Sequence, residues 1–139
     1  MLTSHSTAQD PPFLPDVQAD SAQSSRLATL AKVVGDLDEL VRVLPRSISR
    51  AKPWQRQLAA RMTDVDRCLE VLRLTVSLNR GDDEVRAAVG ALHAECSALS
   101  LAISGSRADH TTKAAVRLVL QLAAAARDAL DEHTPSAAD

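Results

Sequence analysis

The sequence predicts an all-α fold: an up-down-up-down antiparallel four-helix bundle behind a disordered N-terminal tail. Three observations carry this. Apolar residues recur at alternating steps of three and four through long stretches, Phe13 and Trp54 are the only aromatics, and glycine or proline falls between the stretches. A core without aromatics has to be filled by Leu, Val and Ala, which suits packed helices better than sheets. The chain's 139 residues allow one domain, and 45% apolar with 24% charged residues is an ordinary globular composition.

Residues 1–20 hold Pro11, Pro12 and Pro15 among Ser, Thr, Gln and Asp. They show no apolar period, so they bury too little surface to offset their ordering entropy and are expected to form a tail. The bundle is expected over 21–134, with a second disordered segment at 135–139. A first helix is predicted behind Asp20, which with Gln23 resembles a capping box, and its stripe is Leu27, Leu30, Val34, Leu37, Val41 and Leu44. Pro45 ends it. Pro53 suits the first turn of the second helix, whose stripe is Leu58, Met62, Val65, Leu69, Leu72 and Val76.

Asn79, Arg80 and Gly81 mark the next turn. Asp82 and Asp83 then sit where a helix dipole favours carboxylates, ahead of Val85, Val89, Leu92, Cys96, Leu99 and Ile103. Gly105 closes this third helix, and Ser106 with Asp109 forms a capping-box-like pair before a fourth that runs to about His133. The fourth helix is apolar around nearly its whole circumference. Two readings follow: a subunit interface built from Leu118, Leu120, Leu122 and Ala125, or a central helix in which Ala is a spacer.

Charge is distributed unevenly. Arg42, Arg46, Arg50, Lys52, Arg56 and Arg61 stand together without an acid, so residues 42–61 carry +6 and the remainder −8. With Trp54 among them, these residues could grip phosphates and stack on a base. Alternatively, Arg42 and Arg46 complement the C-terminus of the first helix, the other cations are solvated, and Trp54 plugs the bundle end. The net charge of −2 argues against indiscriminate binding to long duplexes.

Signals for catalysis are sparse. There is no Gly-rich phosphate loop, no nucleophile elbow, and no cluster of Asp, Glu, His and Cys at ligand spacing, so neither an enzyme nor a metal or other cofactor is expected. Cys68 and Cys96 lack zinc spacing and read as buried thiols, nearly level with each other across the second turn, which leaves a redox pair open. With no cationic leader and no run of about 18 apolar residues, a cytoplasmic protein without a membrane segment is expected.

The segment Leu44-Pro45-Arg46, then Arg50, Gln57-Leu58 and Arg61, resembles the first connection of a family of small bacterial four-helix bundles. That family comprises proteins encoded in ribosomal-RNA intervening sequences and accessory proteins of diversity-generating retroelements. The resemblance implies a ring-forming oligomer that binds nucleic acid and, in the retroelement case, a reverse transcriptase. Separately, Arg86 and His93 match the spacing of HEPN-class helical ribonucleases, which gives the alternative of an RNA-cleaving toxin or defence nuclease. A third reading is a scaffold that binds a protein through the fourth helix.

Overall fold

In the computed structural model, the side chains of residues 21–131 are described, together with the helical path that leads into them. The tail expected over 1–20 and the segment expected over 135–139 fall outside these fully described residues. The described chain is four α-helices: α1 (Thr3–Val43), α2 (Pro53–Ser77), α3 (Asp82–Ser104) and α4 (His110–Asp131). A 3-10 turn at Leu44–Ser47 follows α1.

The expected stripes form the core. On α1 and the 3-10 turn after it these are Leu30, Val34, Leu37, Val41 and Leu44; on α2, Leu58, Met62, Val65, Leu69 and Leu72. Facing them are Val85, Val89, Leu92, Cys96, Leu99 and Ile103 of α3, and Val116, Val119, Ala123, Ala126 and Leu130 of α4. Each stripe repeats at three-four spacing, so it stays on one side of its helix and points at one common axis. Contacts run α1 to α2, α2 to α3, α3 to α4, and back from α4 to α1. The ring is uneven: α1 lies chiefly against α4 and only lightly against α2.

That arrangement accounts for the over-apolar fourth helix. Its stripe is buried at the centre, while Ala115, Leu120 and Leu122 pack against the same core from its flanks. Of the four residues expected at a subunit interface, Leu120, Leu122 and Ala125 are half-buried within the bundle. Leu118 is the exposed one, at 44%.

At the start of the fully described residues Gln23 Oε1 accepts from Arg26 Nη2 at 2.7 Å, and its Nε2 donates to Asp82 Oδ1 at 3.4 Å. One local expectation is corrected: Ser106 and Asp109 do not pair. Ser106 Oγ donates to the Ile103 carbonyl at 2.7 Å, closing α3, and accepts from the Ala108 amide at 3.1 Å. Asp109 is the cap of α4. Its carboxylate takes hydrogen bonds from the Thr112 hydroxyl and from backbone amides, which hold its pKa below the usual aspartate range.

The second turn departs from the glycine rule. Asn79, not Gly81, takes the left-handed conformation, at φ 56°. Its amide bonds to the Val76 carbonyl at 3.0 Å and the Arg80 amide to that of Thr75 at 3.1 Å, the two bonds of a Schellman closure. Asn tolerates this backbone better than other residues that carry a Cβ. Asn79→Ala is expected to lower the unfolding free energy by about 1 kcal/mol, and Asn79→Gly to leave it nearly unchanged. Urea titration of both variants checks this; equal losses would mean that the turn's conformation is not the cause.

Candidate anion-binding end

The first connection is held by hydrogen bonds from α2. Pro53 occupies the first turn, where its missing N–H costs nothing. Gln55 Oε1 accepts from the Lys52 amide at 2.8 Å and from Ser49 Oγ at 3.0 Å. Arg56 Nη1 donates to the carbonyls of Arg50 at 3.1 Å and Ala51 at 2.9 Å. Arg56 therefore shapes the loop that presents Arg50 and Lys52.

The remaining cations divide by environment. Arg42 bonds Asp38 at 2.6 Å, and that carboxylate also takes Arg73 of α2 at 2.6 Å. Arg73 reaches Glu70 as well. Arg61 is half-buried on α2. Arg46, Arg50 and Lys52 are exposed, and no ion pair engages them among the described residues. An exposed, unpaired guanidinium is fully hydrated in the free protein and available to an incoming anion.

Two clefts flank the connection. One, of about 380 Å³, opens between the end of α1 and the start of α2, and Arg42, Arg46, Arg50, Met62, Asp66 and Arg73 are on its walls. The other, of about 440 Å³, lies between the first and third connections. Trp54 forms part of its wall, half-buried against the core beside Ile48, and Lys52 and Arg107 stand near it. Arg107 comes from the α3–α4 turn and was not among the sequence candidates. Only the antiparallel fold, which brings alternate connections to one end, could have identified it. Asp109, Thr111 and Thr112 share this cleft, so its wall carries a carboxylate and hydroxyls as well as cations.

Arg86 and His93 both turn toward α4. Arg86 Nη1 bonds Asp131 Oδ1 at 2.7 Å, and Nη2 bonds the Leu130 carbonyl at 3.0 Å. Arg127 Nη1 lies 3.1 Å from His93 Nδ1. Guanidinium carries only donors, so in this contact the imidazole Nδ1 is the acceptor. Both side chains thus lace α3 to α4.

The thiols are both free. Cys96 is completely buried in the α3 stripe, and burial pushes it up to about 12, with Cys68 and Glu95 contributing. Cys68 is half-buried, and its thiol is raised first by burial, then by Glu95 and Asp64. Among the described residues no three of His, Cys, Asp and Glu come together as a metal site. One described helix, α3, is long and apolar enough to cross a membrane by length and composition, and its stripe Val85 to Ile103 faces the other helices. The chain matches no protein-family description, no curated protein and no solved structure.

Proposed function

We propose that the protein is a non-catalytic, self-associating helical-bundle accessory subunit, cytoplasmic, whose first connection binds an anionic partner. The observation that carries the reading is the set of unpaired exposed cations, Arg46, Arg50 and Lys52, at one bundle end, with Arg107 and Trp54 beside them. Cations held on a braced loop next to an aromatic edge suit a single-stranded nucleic acid, whose phosphates pair with the charges while a base stacks. This agrees with the family resemblance of the first connection, in which nucleic acid and a reverse transcriptase are the expected partners. Arg42 and Arg56 support the site, since the first is spent on Asp38 and the second on loop carbonyls.

Trp54 is the only tryptophan in the chain, so its fluorescence reports on this end alone. Titration with a single-stranded oligonucleotide is expected to quench it, with affinity falling linearly in log salt. Arg46→Ala, Arg50→Ala and Lys52→Ala together should lower the log–log slope by about 2, given roughly 0.7 per phosphate contact on single strands. Binding that ignores both salt and the triple substitution would overturn the proposal. Arg56→Ala is unsuitable as a test because it also removes two bonds that hold the loop.

A further inference from the structure

The first connection is a wall of two clefts that differ in chemistry. Pro45, Arg46 and Arg50 line the cleft between α1 and α2, whereas Ser47, Ile48, Ser49 and Lys52 line the one that holds Trp54. Bonds made by Gln55 and Arg56 hold this shared wall in place. On the first side four guanidinium groups stand with Asp38 and Asp66, and Asp38 is already shared by Arg42 and Arg73. Arg46 and Arg50 are the cations left open there.

On the second side the half-buried indole of Trp54 has Leu44, Ile48 and Ala115 for company in a space of about 440 Å³. The carboxylate of this cleft, Asp109, is committed to capping α4. Two cations remain on its walls, Lys52 from the first connection and Arg107 from the third. Both are exposed, and no ion pair engages either among the described residues.

We infer that a single strand of nucleic acid crosses this bundle end from one connection to the other. Its backbone lies in the cleft of Arg46 and Arg50 and passes over the shared wall at Lys52; a base then enters the second cleft against Trp54, and the phosphate beyond that base meets Arg107. The inference rests on the anionic partner proposed above and gives that partner its path. A guanidinium fork matches phosphate oxygens, so the backbone belongs on the arginine side. An indole edged by apolar side chains offers little to a hydrated phosphate, but any base can stack on it. A strand alternates phosphate and base along its length, and this surface alternates cation, indole and cation. The bases of a duplex are held in their own stack and cannot enter the second cleft. The shortest ligand that fills it is a trinucleotide, whose middle base has a phosphate on either side.

Anisotropy of an end-labelled strand reads binding, and Trp54 fluorescence reads entry of a base, so the two parts of the path separate. A trinucleotide is expected to bind and to quench Trp54, and a mononucleotide to bind about tenfold or more weakly for want of the second phosphate contact. A strand of abasic sites should bind about 5- to 150-fold more weakly than the same length with bases, without quenching, while keeping its salt dependence. On a ten-residue strand, Arg107→Ala should lower the log–log salt slope by about 0.7, one phosphate contact, with the helical circular dichroism unchanged. A mononucleotide that binds and quenches as well as the trinucleotide, or an Arg107→Ala slope equal to that of the unaltered chain, would overturn the path and leave the anionic partner standing. Failure of every strand to bind by anisotropy would overturn both.

Discussion

Leu69→Ala is expected to lower the unfolding free energy by about 2–5 kcal/mol, a large share of the roughly 5–15 kcal/mol that holds a domain of this kind together. Leu69 is 0% exposed and stands in the middle of the α2 stripe. Truncation removes three heavy atoms from a site closed on all sides, so the lost transfer energy is joined by the cost of whatever cavity survives relaxation. Leu74, on the same helix, is 49% exposed, and Leu74→Ala should change stability by no more than about 0.5 kcal/mol. Urea midpoints at unchanged m-value measure both effects in the monomer. Equal effects would mean that the α2 stripe does not face the core as described.

The second large effect is chemical. At pH 8 the Cys96 thiol, pushed up to about 12 by burial, holds a thiolate fraction of about 1 in 10⁴. In the unfolded chain, near a reference value of about 8.5, that fraction is roughly a quarter. Alkylation of Cys96 should therefore be slower in the folded protein by about three orders of magnitude, before any further protection from its complete burial. Mass spectrometry after timed iodoacetamide exposure, with and without urea, resolves the two cysteines. Cys68, half-buried on α2, should label first. The sign of the pH dependence follows. A thiol whose folded value is raised stabilises the protein fully below the unfolded value, and that contribution is lost as pH rises from about 8.5 toward 12. Rapid labelling of Cys96 under native conditions would contradict its place in the core.

The helix stripes were readable in the sequence because burial imposes a period, and the residues from Leu30 to Val41 on α1 and from Leu58 to Leu72 on α2 obey it without interruption. The turns were less readable. Asn79 rather than Gly81 takes the left-handed backbone, and both residue types tolerate it, so local sequence leaves the choice open. The same limit applies to the α4 cap, where Asp109 binds Thr112 while Ser106 serves α3; several Ser, Thr and Asp stood within reach of one terminus.

At the candidate site the cluster was legible, but its division of labour was not. Nothing in the spacing separates Arg56, bonded to the loop, from Arg50, which the loop presents. Arg107 was hidden for a different reason: it is far away in sequence and joins the cleft through the packing of one connection beside another. The exposed apolar residues of α2 were hidden too. Val71 and Leu74 lie off the core stripe of their helix, and periodicity alone does not say whether an off-stripe apolar residue meets a neighbour or water.

The preference of α1 for α4 over α2 bears on how the chain is made. A chain leaves the ribosome amino terminus first, at about 5–20 residues per second. The α2–α3 and α3–α4 hairpins can close as soon as their second members emerge, since each joins sequence neighbours. Of these four helices, the first to be made has its main partner in the fourth. Until α4 is made, the Leu30–Leu44 stripe is without the surface that finally covers it, so the bundle can close only once its fourth helix is available.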